Sequence, residues 1–205
     1  MKRTVIIAGV ALLLSACASA PNAGAAATVG DREIPNDTLT SQVDAVQQAK
    51  LGVNGAPDAA LVADILQRLV ITDLVDVAAE RNGIDVTQGQ VDQAVAAAEQ
   101  QLGGPGSLIQ AFLDSNVPQD AIDDQMRLSV QVDELGKALA PDGDAQAQQQ
   151  AVFQYVVALG QELNTQLGPR YGTWVADQLQ VGPLPSDLAS APASADPLAA
   201  VVPSG

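Results

Sequence analysis

Two groups of acids lie close enough for paired-carboxylate chemistry: Asp123 with Asp124, and Asp142 with Asp144. In such a pair one acid stays protonated to donate while the other stays ionised, which requires surroundings that drive their pKa values apart. Asp123 and Asp124 stand on the polar side of a run with helical periodicity, and Asp144 stands where a helix begins. The pairs therefore read as a solvated helix face and a helix N-terminus, where the dipole favours negative charge. Other chemistry finds less. The 205 residues include no histidine and a single cysteine. Nucleophile–histidine hydrolases and histidine-based metal sites are excluded, and so is a disulfide within the chain. No Gly-x-Ser-x-Gly elbow and no phosphate-binding loop occurs. The expectation is a protein that is not an enzyme and uses no cofactor and no metal.

The lone cysteine is the exception. Lys2 and Arg3 are followed by an apolar run from Thr4 to Leu14 and then by Ser15-Ala16-Cys17. A bilayer core about 30 Å thick needs roughly 20 apolar residues to be crossed by a helix, and this run is shorter. Positive charge, a short apolar run and small residues are the layout of a removable secretion signal. Leu14-Ser15-Ala16-Cys17 resembles the lipobox of bacterial lipoproteins, in which the thiol becomes a thioether to diacylglycerol. Residues 1–16 are read as the signal peptide, with lipidation at Cys17 anchoring the mature protein to the cell membrane on its extracytoplasmic side. Residues 17–26, rich in Ala, Ser, Pro, Asn and Gly, are read as a flexible tether.

A formal net charge of −15 argues against nucleic acid, whose binders need a basic face. The same balance argues against electrostatic attachment to anionic lipid. Only 16% of residues are charged while 47% are apolar, so the chain has enough apolar surface to fold. Its length past the leader suits one domain, placed at residues 27–180.

The periodicity is helical through most of that domain. Ala27 to Ile34 is a short extended piece turned at Gly30-Asp31, and Asn36 is the expected cap of a first helix carrying Leu39, Val43 and Val46. Pro57 to Asn82 is apolar on most of its circumference, with Leu69 at its middle, so it belongs at the centre of a bundle. Gly83 ends it. Thr87 and Gln90 form a capping box flanked by Val86 and Val91 as a hydrophobic staple. The next helix is expected to bury Val91, Val95, Ala98 and Leu102 along one stripe, stopped by Gly103-Gly104-Pro105-Gly106. Further helices are expected over Ser107–Ser115, from Pro118, and from Asp144 to near Asn164. Gly168 and Pro169 cannot continue the last one, and Leu163–Leu167 is expected to return extended against Ala27–Ile34. Residues 181–205, rich in Pro, Ala and Ser, are read as a disordered tail.

The strand and turn around Val29-Gly30-Asp31, the helix after Ile34-Pro35 and the long apolar helix leading into Gly83-Ile84-Asp85-Val86-Thr87 resemble the N-terminal chaperone domain of the SurA and PrsA family. Val117-Pro118, the helix with Arg127 and Leu135, and Pro169-Arg170-Tyr171-Gly172-x-Trp174 continue the likeness. The fold it implies is mainly α, a bundle of about six helices with a small two-stranded antiparallel ribbon. Members often carry a parvulin isomerase module between their helical parts. Here only Pro141 to Ala145 separates two helices, and parvulin sites are rich in histidine. What the resemblance implies is the chaperone part alone, whose apolar groove holds unfolded secreted polypeptides.

The competing function is an adaptor or structural lipoprotein that docks one specific envelope protein. Phe112 and Met126 are candidates to line a peptide-binding groove, methionine being adaptable to varied partners; plain core is the competing reading. Arg170, Tyr171 and Trp174 either grip a peptide or lock the C-terminal segment onto the bundle, with Trp174 as an apolar plug.

Overall fold

A computed structural model describes residues 24–52 and 56–184. Cys17 with its leader, residues 17–23 of the tether and residues 185–205 of the tail lie outside the described residues. The fold is mainly α. In chain order it runs β1 (Ala25–Val29), β2 (Arg32–Pro35), α1 (Asn36–Leu51), α2 (Ala59–Arg81), α3 (Gln88–Leu102), α4 (Pro105–Asp114), α5 (Ile122–Leu139), α6 (Ala145–Glu162), β3 (Gln166–Leu167), β4 (Trp174–Val175) and β5 (Gln180–Val181).

Helices α1, α5 and α6 pack on α2 together with β1, while α3 packs on α5 and α4. Ile65, Leu66, Val70 and Leu74 of α2 are completely buried. Leu69 is only partly buried and packs at the margin of the core, because a helix turns 100° per residue and the inward face is set by its two neighbours. Asp58 caps the helix, its side chain accepting from the Ala60 N–H at 3.1 Å. The capping box at the start of α3 is present: the Gln90 side chain accepts from the Thr87 N–H at 3.0 Å, and Thr87 Oγ1 accepts from the Gln90 N–H. Val86 and Val91, the staple pair, are both buried. Asp144 caps α6 by accepting from the Ala147 N–H at 2.8 Å.

The expected ribbon is part of a three-stranded antiparallel sheet ordered β2–β1–β3. Ala27 pairs with Ile34 on one side and with Leu167 on the other, so the C-terminal return closes the open edge of the N-terminal hairpin. A second, two-stranded sheet joins β4 to β5, with Trp174 opposite Val181. Ordered structure thus runs through Val181, whose N–H donates to Gln67 on α2 at 3.4 Å.

Asn36 does not cap α1. Pro35 holds that position without a side-chain bond, and the Asn36 amide is committed to tertiary contacts. Its Nδ2 donates to the Gly24 carbonyl at 2.6 Å, and its Oδ1 accepts from Arg170 at 2.6 Å and from the Tyr171 hydroxyl at 2.8 Å.

On the outward side of α2, burial raises the pKa of Asp73; Arg32 opposes the shift and Asp76 adds to it. The folded state therefore binds this proton more readily than the unfolded chain. Ionised Asp73 costs stability above its raised pKa, and the cost fades as pH falls through that value toward the ordinary carboxylate range. Asp73→Asn is expected to raise the melting temperature at pH 7 by about 1–3 °C and to lose that gain below pH ~4. Melting curves that keep the same separation at every pH would exclude this cost.

Candidate peptide-binding groove

The open side of the bundle lies where α3 and α4 leave the core. Gly103 closes α3 in the left-handed region at φ +91°, Gly104 follows at φ +119°, and Pro105 starts α4. The chain reverses within these three residues, and the resulting hairpin buries little. On α3 only Val91 is buried, and on α4 only Leu108. The stripe Val91, Val95, Ala98, Leu102 was expected to be covered along its length. Instead Val95 and Ala98 are partly exposed and Leu102 is 45% exposed. The N-terminal part of α3 is held by Arg127, which donates to the Val86 carbonyl at 2.7 Å and to Gln88 at 2.8 Å. Its far end extends past the core.

Between that far end, α4 and α5 lies an apolar cavity of about 490 Å³. Ala98, Leu102, Leu108, Ala111, Phe112 and Val117 supply its walls, and Gln125 and Ser115 its edge. Among the described residues that line it, Arg68 alone is charged. Two further hollows adjoin it, of about 310 Å³ and 220 Å³, and both also include Arg68 and Gln125. The smaller is polar, with Asp76, Asp124, Arg127 and Gln131 in its wall.

Arg68 is mostly buried, and burial lowers its pKa against the opposing fields of Asp124 and Asp120. Its guanidinium donates to Gln42 at 2.5 Å and forms no ion pair among the described residues. Guanidinium offers five donors, so most of its capacity faces the junction of the three hollows. The side-chain oxygens of Gln125 and Gln131 are buried without partners there. In Gln131 the amide orientation is set by its nitrogen donating to Asp76 at 2.8 Å, leaving the oxygen as a free acceptor. An apolar trough edged by unused donors and acceptors suits an extended peptide, which carries apolar side chains on a backbone of N–H and C=O groups.

Of the residues singled out in the sequence, Phe112 lines the trough. Met126 does not: it follows Gln125 on α5 by one residue, so it points about 100° away from the groove edge. Arg170, Tyr171 and Trp174 sit apart from the trough, at the junction of the C-terminal segment with the bundle. Arg170 lies over the Tyr171 ring at 4.7 Å, and both hold Asn36. The Gly168 N–H donates to the Ala26 carbonyl at 2.8 Å. A side chain on Gly168 would press on the Ala25 carbonyl, its Cβ only 2.9 Å away. Trp174 packs against the core beside Gly160 of α6 and Leu74 of α2. This is the geometry of a lock. Arg68, Leu102 and Gln125 were not singled out, although a lone arginine in the middle of the most apolar helix was a visible signal. The acid pairs are structural: Asp123 and Asp124 occupy the exposed first turn of α5, and Asp144 is a cap.

A family model described as the SurA-like N-terminal domain matches residues 3–106, half of the chain. The matched span takes in β1, β2 and α1 to α3 and stops as α4 begins. No curated protein and no solved structure matches the chain.

Proposed function

Because the chain belongs to the SurA-like N-terminal domain family, we propose that it is a membrane-tethered extracytoplasmic chaperone that holds unfolded secreted polypeptides in the trough between α3, α4 and α5. The family gives the chaperone-related role and polypeptide as the substrate class. The observation that carries the finer reading is the trough itself, apolar walls left uncovered by the fold with unused hydrogen-bonding groups at one edge. A broad apolar surface accepts many side chains without requiring one sequence, as a holdase needs. The reading includes no prolyl isomerase activity. Support comes from the short link of Ala140 to Asp144 between α5 and α6, where an inserted isomerase module would have to sit. Tethering rests on Cys17, and the locked C-terminal segment keeps Arg170, Tyr171 and Trp174 out of client binding.

The test is a groove variant that spares the core. Phe112 and Leu102 are both partly exposed, so Phe112→Ser with Leu102→Asp should melt within a few degrees of the wild type. Binding of reduced, carboxymethylated lactalbumin, a permanently unfolded probe, is expected to weaken at least ~10-fold, since about 1.4 kcal/mol is lost for each tenfold. Unchanged probe affinity would overturn the trough as the site. A wild type that ignores unfolded probes yet captures one envelope protein tightly would replace the holdase by a dedicated adaptor.

A further inference from the structure

Resting on that reading, we infer that the chain regulates its own trough: the segment Asp196 to Val202 docks there, with the Asp196 carboxylate on Arg68 and Leu198, Val201 and Val202 against Leu102, Leu108 and Phe112. The path of the chain supports this. After β5 the backbone passes alongside α2, where the Val181 N–H reaches Gln67, the neighbour of Arg68. Gln67 forms a wall of the hollow that adjoins the trough, so the chain passes the site at Val181 and then turns to Thr173, whose hydroxyl donates to the Pro183 carbonyl at 3.3 Å, just before the described residues end. Leu184, the last described residue, is 54% exposed. Eleven residues lie between it and Asp196, giving a reach of about 40 Å when extended.

The chemistry matches as well as the path. Arg68 is the one charge in the trough wall and has no ion pair among the described residues. A mostly buried guanidinium in that condition gains most from a carboxylate, to which it can donate two parallel bonds. Residues 185–205 carry two charges, Asp187 and Asp196, both acids. Asp187 precedes the isolated Leu188, whereas Asp196 precedes a cluster of apolar residues of the size the trough accepts. A weak intrinsic contact suffices, because a link of this length gives an effective concentration of about 1 mM. With an intrinsic Kd of ~0.1 mM the tail would occupy the trough roughly nine times in ten and weaken client binding about tenfold.

The experiment uses the full chain with Asp196→Asn and Val201→Ser, read in two ways. Amide hydrogen exchange without client reports the tail alone: faster exchange across Leu102 to Phe112 in the variant is expected, and identical exchange would overturn the inference. Affinity for carboxymethylated lactalbumin reports the regulation: the variant should bind about tenfold tighter. Adding Arg68→Gln to wild type and variant should remove the difference between them in both measurements. Faster exchange with no probe binding by either form would sink the holdase reading and leave the docked tail standing. Tight, equal probe binding with unchanged exchange would do the reverse. Exchange differences that grow with protein concentration would assign the trough to the tail of a second copy and overturn docking within one chain.

Discussion

Leu74→Asp is expected to leave no folded domain at 25 °C. Leu74 is fully buried at the centre of α2, with β1 and α5 packed on the same helix and Gly160 of α6 against its methyl groups. Removing a large aliphatic side chain from such a site costs about 2–5 kcal/mol, and a buried carboxylate without a partner adds several more. A domain of this size is stable by about 5–15 kcal/mol in total. Loss of the far-ultraviolet helical signal and of any cooperative melt is the measurement. Leu69→Asp supplies the contrast. That leucine is only partly buried and borders the polar hollow with Arg68 and Arg127, so the new carboxylate finds water and cations. It should melt cooperatively, lowered but folded. Equal damage at both positions would mean that α2 is rotated from the orientation described.

The second large effect concerns attachment. Cys17→Ala is expected to move the protein from the membrane pellet to the soluble extracytoplasmic fraction and to abolish labelling with radioactive palmitate. No helix among the described residues is long and apolar enough to cross a membrane. The excess of acids, −15 overall, repels an anionic leaflet. Burial of acyl chains gives about 0.8 kcal/mol per methylene, so the two or three chains of a mature lipoprotein hold firmly, and no helix among the described residues offers a comparable anchor. A variant that still pellets after a carbonate wash would place the anchor elsewhere in the chain.

What could be read in advance follows from which physics is local. Thr87 and Gln90 satisfy each other's backbone donors within one turn, so the start of α3 was legible to the residue. Asp144 was legible for the same reason, and Gly168-Pro169 marked the end of α6 because proline cannot continue a helix. The return of Leu163–Leu167 to β1 could be expected because a lone hairpin would leave an unpaired edge. Periodicity, however, shows that a helix has an apolar face and says nothing of what covers it. The stripe through Leu102 was read as buried, and its exposure is what makes the trough. Asn36 illustrates the other failure. A cap and a tertiary hydrogen-bond hub use the same side chain, and only the arrival of Arg170 and Tyr171 from across the sequence decides between them. Arg68 drew no notice because its meaning lies in the absence of a partner, a property of three dimensions.

The pairing of β1 with β3 also sets the order in which the molecule can be completed. Thr28 leaves the ribosome early, while its partner Gln166 follows far behind, and the bond from Tyr171 to Asn36 spans 135 positions. Contacts of such separation must close a long loop before they return any stabilisation, which slows folding relative to a bundle built from neighbours. Until then β1 presents bare N–H and C=O groups along one edge, next to an unfilled core. The nascent chain thus passes through a stage in which it displays an open strand edge and apolar surface, the features by which unfinished polypeptides aggregate or are captured. A protein of this design is itself an unfolded client until its last segment is made.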